Sequence, residues 1–446
     1  MKRIANSIIV VLIITFIIGQ FFTNSWVTGL YTVLTALTAL ISLFYSRGIP
    51  KVFGSLMILV GGAVLLYQQQ PMDMWVEGIT RNLPLVCLVV VVPILGIPIN
   101  IGQYHKHLAG ITARFHQKPQ RMYLFLSGLF SLIGPITNIG SLYIIHAMVE
   151  KLKLPHTLLG RVYVRGFTSV HTWSPYFASV FLVVYSLQVP IYQYLPYGLL
   201  LSVFQVLTAY VLFRFVEMRN ISFDTPERSL SRSKYKLYEL FAVLLLVTGF
   251  IFIFEPRIPL NASVIISLIV LFFAFLWALY LKHAKPFVHK VNDYLKEVFP
   301  NRANEVGLLL TAGFFGVVLS NTPISDHIHS VWVMLADTSV FLLIMMTTVI
   351  ISVLSFIGVH QIVTISAIVA TVSYDELGIP VIMMAMMLLS AWSVATTVSP
   401  VSPVVIGVSS LLKENVFRII LRWNLLYAIV LMLVHTTLIY CLYLFW

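Results

Sequence analysis

Charge is the scarcest property of this 446-residue chain. Only 10% of its residues are Asp, Glu, Lys or Arg, where soluble proteins carry roughly 25%. Acids are the rarer half, 16 against 28 basic residues. There are two cysteines, Cys87 and Cys441, both inside apolar segments and at no spacing that makes a disulfide framework or a metal site. No His-x-x-x-His or Cys-x-x-Cys pattern occurs, which leaves no metal centre to expect from spacing. The chain has no Walker A motif, so it is not expected to hydrolyse ATP, and no nucleophile elbow or paired acids, so it does not read as an enzyme. No Ala-x-Ala follows the first apolar run, so the segment ending near Phe22 reads as a membrane span and not a cleaved leader. Acids are missing from deep within the apolar segments too. Glu239 stands near a helix start, at an interfacial position, and no arginine is placed in the interior, which argues against a carboxylate proton relay.

What fills the chain instead is hydrocarbon. Hydrophobic residues make up 59% of it and the mean hydropathy is +0.95. Many stretches run about 18 residues or more without a charge, the length one helix needs to cross roughly 30 Å of hydrocarbon. Lipid leaves only helices and closed barrels as spanning structures, and these runs are too long for barrel strands. The expected fold class is an all-α polytopic membrane protein with about 11 transmembrane helices plus two re-entrant hairpins. Spans are expected at 5–23, 28–45, 52–68, 82–99, 160–187, 191–216, 236–256, 260–281, 304–322, 380–412 and 423–445. The net charge of +12 reads as basic cytoplasmic loops and not as a nucleic-acid surface.

Two further apolar stretches, 122–150 and 338–374, carry breaks near their middles. The first break is Gly134-Pro135-Ile136-Thr137-Asn138-Ile139-Gly140. The second is Gly358-Val359-His360-Gln361. In the first stretch each arm is about a dozen residues and rises about 18 Å, too little to cross; the first arm of the second is longer, and both stretches are expected to enter and leave on one side. With both as hairpins the N-terminus lies in the cytoplasm and the C-terminus outside, and 26 Lys and Arg fall on the cytoplasmic side against Arg81 and Arg257 outside. That is a strong positive-inside bias, and it places the chain in the inner membrane.

An internal symmetry follows. Residues 82–216 form one unit of span, hairpin, long span and span. Residues 304–446 form a second of opposite topology. Gly134 lies 41 residues before Pro175, and Gly358 lies 42 before Pro400. Those prolines sit in Thr172-Trp173-Ser174-Pro175 and Thr397-Val398-Ser399-Pro400-Val401-Ser402-Pro403, within spans of 28 and 33 residues. Proline removes a helix hydrogen bond and clashes with the preceding turn, so both spans read as broken helices. Broken helices paired across inverted repeats are a pointer to a transporter's binding site. Around the units lie an N-terminal three-helix scaffold over 1–81 and a central segment over 217–303. The central segment holds the basic loop 217–235, a match for anionic lipid headgroups, two spans, and an amphipathic pattern over 286–299.

The hairpin and broken-helix motifs resemble the ion transporter superfamily, which includes the large membrane subunits of TRAP transporters and the divalent anion–sodium symporters. The resemblance covers about residues 82–446 apart from the central segment. It implies an elevator-type secondary carrier whose hairpin tips and broken helices form the substrate and ion site. Carried over to this chain, the site is Gly134, Pro135, Thr137, Asn138, Thr172, Ser174 and Pro175 from the first unit. The second unit gives Gly358, His360, Gln361, Thr364, Thr397, Ser399, Pro400, Ser402 and Pro403. His171 joins them by position; it and His360 are either anion-binding or titrating groups, or buried neutral rings. His146 and His435 read as satisfied packing residues. The symporters carry Ser-Asn-Thr at both tips, whereas the tips here read Pro-Ile-Thr-Asn and His-Gln-Ile-Val-Thr. The resulting expectation is a sodium-coupled secondary carrier of a small anionic solute. Its partners would be that small-molecule solute, the lipid bilayer and a second copy of the chain in a homodimer. No cofactor is expected beyond Na⁺ as coupling ion. A proton-coupled carrier or cation/proton antiporter using the membrane histidines is the alternative within transport, and a non-transporting membrane scaffold the alternative outside it.

Overall fold

A computed structural model describes residues 2–22, 24–115, 118–218 and 235–446, the side chains of residues 2, 3, 299 and 300 excepted. Every regular element among them is helical, and the chain is a polytopic all-α membrane protein. Nine helices among the described residues are long and apolar enough to cross a bilayer. Eleven spans were expected. The remaining two are Lys2–Gly19, whose apolar part is slightly short, and a helix interrupted in its middle, His156–Thr168 with Ala178–Ser186. The basic loop 217–235 falls almost entirely outside the described residues.

Two stretches of chain follow the same order of elements. The first begins with a helical run from Met72 to Ile101, tightened to a 3₁₀ turn over Val92–Gly96 where Pro93 lacks an N–H to donate. The second begins with Val298–Ser320. Each then has a connecting helix that the sequence did not announce, Tyr104–Thr112 and Pro323–Thr338. Then come a helical hairpin, a broken helix, and a closing helix that carries a π-helical stretch. The π stretches are Phe213–Glu217, after Ile191–Leu212, and Arg418–Asn424, before Leu425–Leu444. The run expected at 82–99 therefore starts ten residues earlier, and residue 81 lies at a turn inside it. Between the two units sit Tyr235–Phe254, Ala262–Tyr280 and the amphipathic helix Ala284–Lys296.

The hairpins correct the expected arm lengths. The first arm of the first hairpin is Pro119–Thr137, 19 residues, or about 28 Å at about 1.5 Å per residue. The helix runs through Gly134 and Pro135 without interruption and ends two residues after Pro135, at Thr137. The break is confined to Asn138, at φ 51°, and Ile139. The return arm Gly140–Val149 has 10 residues, about 15 Å, half the hydrocarbon thickness. In the second hairpin Val340–Phe356 has 17 residues and Gln361–Thr371 has 11. Gly358 turns the chain at φ 108°, a conformation glycine adopts at little cost.

The broken helices are held together from both units. Ser393 Oγ on Val381–Val398 lies 3.1 Å from Thr168 O and 3.0 Å from Gln205 Oε1, and Gln205 Nε2 donates to Thr168 Oγ1 at 3.0 Å. Tyr194 donates its hydroxyl to Thr172 O at 2.8 Å. Gly198 lets the closing helix reach the first break, since a Cβ there would lie 2.5 Å from Thr172 O. Outside the spans, Glu255 caps the closing helix Ile191–Leu212 by accepting the Ile191 and Tyr192 N–H groups at 2.9 and 3.2 Å. Burial pushes its carboxyl above the usual range while those two bonds oppose the rise.

Candidate functional site

The four interruptions converge on one cavity of about 570 Å³. Asn138 and Ile139 come from the first tip, and His360, Gln361 and Ile362 from the second. His171 with Phe177, Ala178 and Ser179 come from the first broken helix, and Thr396 with Val401 to Val404 from the second. Phe167 and Trp392 complete an aromatic wall. His171 lies edge-on between Phe167 and Phe177, with ring centroids 5.2 and 5.0 Å away. The mouth is formed by Arg47, Asn301, Arg302, Asn304 and Glu305.

Each tip and break is where a short helix begins. Gly140–Val149, Ala178–Ser186, Gln361–Thr371 and Pro403–Leu412 all start with residues at or next to this cavity wall. Helix N-termini carry unpaired N–H groups and about half a positive charge each. At three of the four no side chain caps the first turn; the exception is Gln361–Thr371, where His360 Nδ1 accepts the Ile362 N–H at 3.2 Å. The single carboxylate on the wall, Glu305, is paired with Arg302 at 3.0 Å. These four N-termini therefore turn their positive ends toward the cavity.

Several buried polar atoms here have no partner. Gln361 Nε2, Ser402 Oγ and His171 Nδ1 all belong to residues lining the cavity, and those residues are 2%, 1% and 8% exposed. Ser355 Oγ and Thr364 Oγ1, on the two arms of the second hairpin, are likewise unpartnered. A buried polar group left unpaired costs about 1–3 kcal/mol, so these atoms are disposed to take polar partners from within the cavity.

Of the residues singled out in the sequence, Asn138, His171, His360, Gln361, Ser402 and Pro403 line the cavity. Gly134, Pro135, Thr137, Thr172, Ser174, Pro175, Gly358, Thr364, Thr397, Ser399 and Pro400 stand behind it and shape the breaks. Thr137, Thr172 and Thr397 return their hydroxyls to Ile133, Ser169 and Ser393 carbonyls at 3.0 Å each. Ser174 Oγ accepts the Tyr176 N–H at 3.4 Å. Ser399 Oγ donates to Ser355 O at 3.0 Å and so ties the second break to the second hairpin. Gly134 gives the first hairpin access to Val170, whose methyl would lie 3.0 Å from a Cβ.

One of the sequence expectations fails. Arg165 was counted at the end of a span, and no buried arginine was expected, yet its side chain is fully enclosed. It makes two bonds to Glu217 at 2.8 and 3.0 Å, one to Asn424 Oδ1 at 3.0 Å and one to Trp423 O at 2.6 Å, and it lies 4.6 Å from the Tyr427 ring centroid. Both π stretches thus meet on one guanidinium, away from the cavity wall. The i, i+4 pair Arg161 and Arg165 on an otherwise apolar helix was the available signal. Glu239 lies near the start of its helix and is enclosed beneath Tyr104, with Trp277 Nε1 at 2.8 Å and Lys236 Nζ at 2.9 Å. His435 meets its expectation, bonded to Ser390 Oγ at 2.9 Å and Leu201 O at 3.1 Å.

A membrane fold with two hairpins, two broken helices and one shared cavity defines a class of architecture. A solved structure is similar to this fold: the YdaH transporter of Alcanivorax borkumensis, described as having an unusual topology, superposes with a TM-score of 0.55 over 84% of this chain and 87% of its own, at 15% sequence identity. At that identity the likeness is one of fold. No protein-family model and no curated protein sequence matches the chain.

Proposed function

We propose that this protein is a secondary active carrier that binds a small anion where the four helix N-termini converge. The observation that carries the reading is the convergence of four helix N-termini on a cavity with unpaired polar atoms of both hydrogen-bonding senses. Four helix ends, each worth roughly 0.3–1 kcal/mol toward an anion and up to ~2 when partly buried, together favour a negative ligand by several kcal/mol. The cavity volume also lies in the usual range for small-molecule sites, about 300–1,000 Å³. The neighbour of like fold is a transporter, which fits the same reading.

Sodium is the proposed coupling ion, held in the second unit. The unpartnered hydroxyls of Ser355, Thr364 and Ser402 are hard oxygen donors. Beside them the C-terminal end of Val340–Phe356 presents carbonyls, the negative end of that helix. The return arms, too short to cross, make both hairpins re-entrant. With the N-terminus in the cytoplasm and the C-terminus outside, the mouth at Arg47, Asn301 and Arg302 faces the cytoplasm. Transport then follows as an elevator-type movement of the hairpins and broken helices past the remaining spans.

The test is thermal unfolding of the purified protein against organic and inorganic anions, in sodium and in potassium. A ligand of the folded state raises the midpoint by mass action. An anion-specific, sodium-enhanced rise is expected, and Asn138→Ala or Gln361→Ala should reduce it. A midpoint indifferent to every anion would remove the reading's basis.

A further inference from the structure

The two histidines on the cavity wall differ in what their rings can accept. His360 Nδ1 is an acceptor, capping Gln361–Thr371 through the Ile362 N–H. A proton on that nitrogen would set donor against donor and break the cap. His171 is under no such constraint. Its Nδ1 is buried without a partner, and its ring is held by the flanking Phe167 and Phe177 rings. Ser179 Oγ bonds its carbonyl at 3.1 Å and fixes the backbone there.

We infer that His171 is a proton-binding site loaded together with the anion, so that the carrier moves an anion and a proton in the same direction. This rests on the anion site proposed above and adds to it a second coupling ion, bound by the first unit. Water at the mouth gives a proton to the bare nitrogen of the imidazole. The ring becomes an imidazolium with two N–H donors, and the anion beside it balances the charge. When the anion leaves on the other side, the proton returns to water.

Among the described residues, no other group around this ring is free to take that part. Along its own helix, Arg165 is saturated by Glu217, Asn424 and Trp423. From Ile191–Leu212, Tyr194 donates to Thr172 O. From Val298–Ser320, Glu305 is tied to Arg302. Arg47 stands at the mouth. The second hairpin brings the capped His360, and the second broken helix brings Trp392, Thr396 and Ser402, none of which titrates near neutrality.

The probe is methanesulfonate, with benzenesulfonate beside it, because a sulfonate keeps its charge from about pH 5.5 to about pH 8, across the range where imidazole titrates. Half-saturation is read from the thermal midpoint against concentration. The wild type should bind tighter by about tenfold or more at the lower pH, within the ceiling of about tenfold per pH unit that one linked proton allows. His171→Gln should bind with the same affinity at both pH values, while His360→Gln should keep the wild-type ratio. In weakly buffered solution, sulfonate added to the wild-type protein should take up close to one proton per anion, read by a pH-indicator dye, a measurement that needs no variant to fold. Equal wild-type affinity at both pH values, no proton uptake, or a pH ratio that survives His171→Gln would overturn the inference while leaving the anion site standing. Sulfonates that bind at neither pH defeat the anion site, and this inference with it.

Discussion

The two units build the same break from opposite polar habits. In the first, the hydroxyls are turned inward: Thr137, Ser169 and Thr172 donate to the carbonyls of their own helix, and Ser174 caps the following turn. In the second, Ser355, Thr364 and Ser402 Oγ and Gln361 Nε2 are buried and unspent. The first break is furnished with rings, Phe167, His171 and Phe177, and is braced from behind by Tyr194 and Arg165. Like topology therefore does not mean like duty. The first unit spends its break hydroxyls locally and leaves His171 Nδ1 open; the second, though Thr397 and Ser399 are spent, leaves several hydroxyls and an amide open.

That contrast can be broken at its back wall first. Arg165→Met leaves Glu217 buried opposite no guanidinium, and removing one partner of a buried pair costs about 3–5 kcal/mol. The thermal midpoint should fall by many degrees, with loss of expression as the extreme result. Arg165→Lys should rescue part of the stability, because one ammonium replaces a fork that reaches Glu217, Asn424 and Trp423 together.

Next in size is the loss of open donors in the second unit. Gln361→Ala and Ser402→Ala should each weaken anion binding by roughly tenfold or more, the worth of one hydrogen bond to a charged group, with little change in the midpoint of the unliganded protein. Ser355→Ala and Thr364→Ala should abolish the sodium enhancement. In sodium-free buffer they should leave stability unchanged or raise it, because each removes an unpaired buried hydroxyl. The smallest effect belongs to the first unit. Thr172→Val removes a hydroxyl already paired with Ser169 O and should alter anion half-saturation by less than about twofold. A Thr172→Val loss as large as that of Gln361→Ala would erase the division between the units.

Much of this architecture was legible in the chain. Charge-free runs gave the helices, the Lys and Arg distribution gave a sidedness, and the proline and glycine breaks gave the elements that now share one cavity. Break positions were less legible. Gly134 and Pro135 look like the centre of an interruption, yet the helix continues to Thr137. The actual tip is Asn138, one of the residue types that tolerate positive φ. Sequence also cannot say whether a hydroxyl is spent locally. Thr172 and Thr364 are equally polar as letters, and only their surroundings make one a helix bond and leave the other without a protein partner among the described residues. Arg165 was hidden by counting charges in loops, which treats every arginine near a span end as solvated. Its partners, Glu217 and Asn424, lie 52 and 259 residues away, and no local pattern joins them.

The most direct measurement is a crystal structure grown or soaked in bromide, located by its anomalous signal. A cavity faced by helix N-termini, with open donors, should concentrate the ion in hydrogen-bonding reach of Gln361 Nε2 and Ser402 Oγ, near the N-termini of Gln361–Thr371 and Pro403–Leu412. Bromide found only beside surface lysines and arginines, with no peak between the two tips, would contradict the account.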